Sequence, residues 1–260
     1  MIVRRSKRCS GFTLLELLAV IATIGILAAL LLPVLRMAKV KAIRTTCLSN
    51  FRQLSVAWVN YKDDNDYLLV QCFPAAGNPL AWVQGDMSVP DQAADMELIR
   101  QGKLFAYALN PAIYKCPADP KTVITGGKTV ATVRSCSMNS FMGGRDGDAA
   151  DSTVPAGYTL FTRDSDIQHM DRTWVLLDED ENSIRDGCFT IDPTARTWLN
   201  QRKPALSSGR HSFSYPLCFA DGHADVWQHA ARSTSAEQSS VDQRDLADLQ
   251  RLAAAATTPK

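Results

Sequence analysis

The chain has 260 residues, with 28 Lys and Arg against 27 Asp and Glu. Four of those cations, Arg4, Arg5, Lys7 and Arg8, crowd into the first ten residues with no acid among them, so the remainder is slightly acidic. That balance leaves no basic patch and no nucleic-acid motif, and binding to nucleic acid is not expected. Outside the apolar N-terminal stretch roughly 200 residues remain, enough for one well-cored domain.

The first predicted element is a membrane span. Gly11 to Leu35 reads GFTLLELLAVIATIGILAALLLPVL, and the nineteen residues from Leu17 to Leu35 carry no charge. Leu14 to Leu35 as a helix is about 33 Å long, enough for a hydrocarbon core of ~30 Å. A helix is also the form in which a lone segment satisfies its backbone in lipid. The basic flank predicts a cytoplasmic N-terminus and an exported bulk. Glu16 stands out, because a carboxylate inside a span is costly and usually functional. The run is too long for a secretory signal, and its small residues are scattered rather than gathered at a cleavage site. A cut between Gly11 and Phe12 would leave Glu16 one helical turn from the new amine, where the macrodipole favours an acid.

Gly11-Phe12-Thr13-Leu14-Leu15-Glu16, behind its basic leader, resembles the processing site of type IV prepilins and type II secretion pseudopilins. The resemblance implies cleavage after Gly11 and N-methylation of Phe12 by a prepilin peptidase/N-methyltransferase. It implies that Glu16 partners the terminal amine of a neighbouring pilin-like subunit, and that inner-membrane assembly machinery handles the product. Pro33 matches the proline that kinks many pilin helices, and it removes one backbone donor there.

The helix is expected to continue. Val40, Ile43, Cys47, Leu48, Phe51, Leu54, Trp58 and Tyr61 recur at three- and four-residue steps, one apolar face of a helix. The stripe ends at the acidic, turn-forming cluster Lys62-Asp63-Asp64-Asn65-Asp66. Tyr67 to Val70 reads as a strand or its approach. The chain is then loop-rich to about Ser165, with one short helix expected between Asp91 and Leu109 and a tight turn at Lys115 to Pro120. Strands are predicted at Thr129–Met138, Thr173–Leu177 and Cys188–Ile191.

Two acidic clusters invite a calcium reading. Asp178-Glu179-Asp180-Glu181-Asn182 begins like an EF-hand loop, but Ser183 stands where glycine is needed and Phe189 where a bidentate Glu belongs. A non-EF site from Asp146, Asp148 and Asp151, or from Asp178 and Glu179, stays open beside the alternative of solvated loops. No other cofactor is expected.

Asp221-Gly222 between two alternating segments predicts a hairpin with a two-residue turn. That register pairs Leu217 with Val226 and Phe219 with Ala224. It puts Leu217, Phe219, Ala224 and Val226 on the core face and Cys218, Ala220, His223 and Asp225 on the other. His211, nine residues, then Asp221-Gly222 is similar to the H-X9-DG C-terminal signature of a set of prepilin-type proteins. Further islands of similarity are Cys47-Leu48-Ser49-Asn50 with Arg52-Gln53-Leu54, Cys116-Pro117 with Asp119, and Asp178-Glu179 leading to Ser183–Gly187. That family carries no settled activity, so the resemblance informs architecture. His211 is expected to approach the hairpin as a structural hydrogen-bond partner, without a metal.

Six cysteines remain once Cys9 leaves with the leader, which permits fifteen disulfide connectivities or a set of buried thiols. No CxxC is present, nor any nucleophile motif or paired-carboxylate spacing, and an enzyme is not expected. From Arg232 to Lys260, Val241, Leu246, Leu249 and Leu252 make only a weak helical stripe, and a frayed helix or disorder is expected.

The expected protein is α+β and pilin-like. A leader (1–11), a transmembrane helix (12–35) and its amphipathic continuation (36–62) precede a loop-rich antiparallel β head (63–230) and a tail (231–260). The function expected is that of a structural subunit of a type II secretion pseudopilus or type IV pilus-like fibre. It would sit in the inner membrane with the head periplasmic or extracellular. The alternative is a singly anchored exported binding protein for glycans or secretion substrates.

Overall fold

In a computed structural model that describes residues 13–73, 78–144, 157–191, 193–194, 210–230 and 243–259, the first element is α1, Leu14–Asp64. The chain divides into two units at the Ala42–Ile43 junction. In the first unit every large apolar side chain from Leu14 to Met37 is exposed. This is the one helix among the described residues long and apolar enough to cross a membrane. Pro33 lies inside it, and the helix runs through the proline without a break. Thr13 precedes its first turn. The Thr13 N–H and hydroxyl each donate to Glu16 Oε2 at 2.9 Å, and the Glu16 N–H donates back to Thr13 Oγ1 at 3.2 Å. Those reciprocal bonds form a capping box, which satisfies backbone donors that a helix start leaves unpaired.

In the second unit α1 turns amphipathic, and Cys47, Phe51, Leu54, Trp58 and Tyr61 of the expected stripe are buried. Ser55 and Ala57 join them, small residues that let the helix approach its neighbours closely. Asn65 closes the helix, its Nδ2 donating to the Tyr61 carbonyl at 2.7 Å.

The head is built on a five-stranded sheet. Its strands are β3 (Cys136–Asn139), β4 (Trp174–Asp178), β5 (Cys188–Phe189), β6 (Ser214–Phe219) and β7 (Ala224–Gln228), in the order β5-β3-β4-β6-β7. Only the β3–β5 pair is parallel. A separate hairpin joins β1 (Thr122–Thr125) to β2 (Lys128–Ala131) across Gly126-Gly127, so the strand expected from Thr129 to Met138 is split in two. The single helix expected near residue 100 is three short ones: α2 (Pro90–Ala93), α3 (Met96–Arg100) and α4 (Phe105–Ala108). Asp95 restarts the chain, accepting from the Glu97 N–H at 2.9 Å. Leu68 makes an isolated bridge to Arg163 rather than a full strand. A disulfide joins Cys72 to Cys188 at the β5 edge.

Both faces of the sheet are covered. Cys136, Asp178, Cys218 and Ala224 share one face by register, and Ser55 of α1 donates to the Gly222 carbonyl at 2.6 Å beside it. The opposite face meets α5, Gln243–Ala254. There Trp174 Nε1 donates to the Leu252 carbonyl at 3.0 Å, and Asn139 Nδ2 reaches the Ala256 carbonyl at 2.8 Å. Of the expected alternatives for the tail, a helix is present, with Leu249, Leu252 and Ala253 buried and Ala256 buried in the turn after it. Two leucines and one alanine make a narrow stripe, which is why its sequence signal is weak.

The hairpin turn falls at Asp221-Gly222 but its register differs from expectation. Leu217 pairs with Asp225 and Cys218 with Ala224. Phe219 N–H donates to the His223 carbonyl at 2.9 Å, and Gly222 N–H to the Phe219 carbonyl at 3.0 Å. The loop is thus three residues, Ala220-Asp221-Gly222, with Gly222 at φ +96° supplying the left-handed position. Leu217 and Phe219 are buried as expected, but half-buried Ala224 and Val226 lie on the other face with Cys218. The shift exposes no apolar side because α1 and α5 cover both.

Candidate functional site

Two places carry chemistry: the start of α1, and the ends of β6 where the head meets α1. At the start, Gly11 and Phe12 lie outside the described residues. Glu16 sits in the first turn, bonded to Thr13, amid exposed leucines.

At the N-terminal end of β6, His211 is buried at a positive φ of +54°, three residues before the strand starts. Its Nε2 lies 3.1 Å from Cys116 Sγ and 3.6 Å from Asp178 Oδ2. Cys116 opens the turn that follows a 3₁₀ helix, Pro111–Tyr114, and its sulfur is 2.8 Å from Cys47 Sγ on α1. Arg210, also buried, reaches Asp178 Oδ1 at 2.5 Å, Glu181 Oε2 at 2.9 Å and the Glu179 carbonyl at 3.2 Å. Lys115 bonds Asp119 beside this cluster. Glu179 accepts from the Ser183 hydroxyl at 2.9 Å.

The electrostatics follow from these contacts. The hydrogen bond from Cys47 is the main influence lowering the Cys116 thiol to about 6, helped by His211 and Arg210 against burial and Asp178. The same bond raises Cys47. Burial acts to lower His211, but its bonds to Asp178 and Cys116 outweigh it and bring the imidazole up to about 9. Burial also lowers Lys115, with Asp119 opposing.

At the other end of β6, Asp221 Oδ1 accepts from the His223 N–H at 3.0 Å and meets its ring Nδ1 at 2.6 Å, both residues exposed. Gly222 docks on Ser55. The His211 carbonyl accepts from the Ser214 hydroxyl at the start of the hairpin at 2.6 Å, while its ring stays apart from the Asp221-Gly222 turn. A six-residue extended strand, roughly 20 Å, keeps them apart. What they share is α1: one end of β6 reaches it through Cys116 and Cys47, the other through Ser55.

The calcium readings fare differently. Asp146, Asp148 and Asp151 lie outside the described residues. Asp178 and Glu179 are not on a solvated loop; both are fully buried, and the Arg210 guanidinium sits where a cation would approach Asp178. The strand end carries Asp178 inward, which the acidic run in the sequence conceals. Arg210, Cys47, Cys116 and Ser55 were not singled out as site residues from sequence. The islands around Cys47 and Cys116 held the signal, but nothing in their spacing pairs them.

Residues 6–32 match the family model described as the prokaryotic N-terminal methylation motif. The chain thus carries a prepilin-like N-terminus, and the match ends before the head begins. No curated protein and no solved structure matches the chain.

Proposed function

We propose that this protein is a pilin-like structural subunit. Its leader is removed after Gly11, Phe12 is N-methylated, and the first unit of α1 anchors it in the inner membrane with the head exported. It then assembles through Glu16 into a type II secretion pseudopilus or type IV pilus-like fibre. One observation carries the reading: the methylation motif at residues 6–32 runs straight into a helix whose apolar side chains from Leu14 to Met37 are all exposed. A side-chain shell of that kind suits lipid or neighbouring helices of the same type.

We read the head's role as structural. Among the described residues the cluster around His211 is buried, with Cys47, Cys116, Asp178 and His211 offering little surface to a substrate. Its partners are then a prepilin peptidase/N-methyltransferase and other pilin-like subunits.

Glu16→Gln tests the assembly step. The variant should insert and be cleaved to methyl-Phe12, seen by mass spectrometry of membrane-derived protein, yet cross-link poorly to other pilin-like subunits. Normal incorporation of the variant, or an intact Met1 in the wild type, would refute the reading.

A further inference from the structure

We propose that Cys47 and Cys116 close a second disulfide, which ties α1 covalently to the turn beneath His211. The proposal rests on the reading that the head is exported, since disulfides persist in oxidising compartments. The two sulfurs lie 2.8 Å apart, well inside the ~3.5–4.0 Å at which even carbon atoms rest against each other. They are 1% and 4% exposed, so once formed the bond is shielded from reductant.

The same residues with His211 also make a cluster of metal-ligating type. Two observations favour the disulfide over a metal. With metal–sulfur bonds of ~2.3 Å, sulfurs at this spacing would subtend only about 75° at a zinc ion, far from tetrahedral. Asp178 beside the cluster already gives Oδ1 to the buried Arg210 guanidinium, whose charge opposes an ion placed there, and Lys115 is taken up by Asp119.

Formation needs an acceptor, and the class that fits is an extracytoplasmic thiol oxidant carrying its own exchangeable disulfide. The Cys116 thiolate attacks one sulfur of that disulfide and expels the other as thiolate. Cys47, losing its proton, then attacks the Cys116 sulfur and releases the oxidant's second thiolate. Two thiol protons and two electrons leave the protein, and the oxidant becomes a dithiol. Burial of both sulfurs places the exchange during folding, before the head closes over them.

The test is a tryptic map of the full chain, isolated from membranes with thiols blocked at lysis and digested without reductant. Peptide 45–52 should be found linked to 116–121, and peptide 63–100 to 186–196, the second pair being the Cys72–Cys188 bond. Finding only the second link, with Cys47 and Cys116 alkylated, would overturn the proposal and leave export standing. Stoichiometric zinc in that sample would assign the cluster to a metal instead. Finding neither link would place the head in a reducing compartment and overturn both readings. In Cys116→Ser, peptide 45–52 should appear unlinked while the second link persists. A 45–52 peptide linked elsewhere in that variant would overturn the assigned pairing.

Discussion

The two parts of α1 share one backbone and meet different surroundings. From Leu14 to Met37 every large apolar side chain is exposed, whereas from Cys47 to Tyr61 the apolar stripe is buried. The first part is apolar all round, so its composition selects the environment. The second is apolar on one face, so its period selects the partner. One helix can therefore be specified twice, by two different physical signals.

The contrast breaks most sharply at Trp58. Trp58→Ala removes a fully buried indole and should destabilise the head by about 3–5 kcal/mol. Leu27→Ala, on the exposed stretch, should leave the head's transition unchanged. Calorimetry of the detergent-solubilised full chain measures both, and an equal loss from the two changes would abolish the distinction.

A smaller effect, on the order of 1–3 kcal/mol, is expected from pH, because a shifted pKa is a stability term. His211 is raised from 6.5 to about 9 in the folded head. Its contribution is therefore complete below 6.5 and lost as pH rises through about 9. Cys116, as a free thiol, is lowered from 9.0 to about 6, so its contribution is present above 9.0 and lost as pH falls through about 6. Urea midpoints should show acid-side loss from Cys116 only in reduced protein. The same acid-side loss in the oxidised protein would argue against a closed Cys47–Cys116 bond.

Comparable and smaller effects belong to the distal end of β6. Gly222→Val forces a β-branched residue to φ +96° with a Cβ 3.2 Å from Val59 Cγ2, and should cost about 1–3 kcal/mol. Ser55→Ala removes one hydrogen bond to the Gly222 carbonyl and should cost about 1 kcal/mol. Thermal melts rank the two, and a Ser55→Ala loss matching that of Trp58→Ala would mean the contact organises more than itself.

Much of this fold was legible in the sequence where one local signal sufficed. The apolar run, the stripe from Cys47 to Tyr61 and the Asp221-Gly222 turn all rest on spacing within a few residues. The register of β6 and β7 was not legible, because a turn of two or three residues uses the same Asp-Gly pair. Alternation could not arbitrate on a sheet covered on both faces. The α5 helix was only weakly signalled because its buried face is short, Leu249, Leu252 and Ala253. The cluster around His211 joins residues 69 and 95 positions from Cys116, and no local pattern announces such a meeting.

The capping box at the start of α1 has a consequence for assembly. Before any neighbour arrives, the Glu16 carboxylate already holds the Thr13 N–H and hydroxyl. For a subunit that docks through Glu16, an incoming amine thus competes for an acid that is not idle, and docking is a swap of partners. For a subunit of the proposed kind held in lipid, the carboxylate is solvated by its own helix, and the net gain on joining is smaller than for a bare charge. A fibre built from such swaps can be taken apart as well as extended.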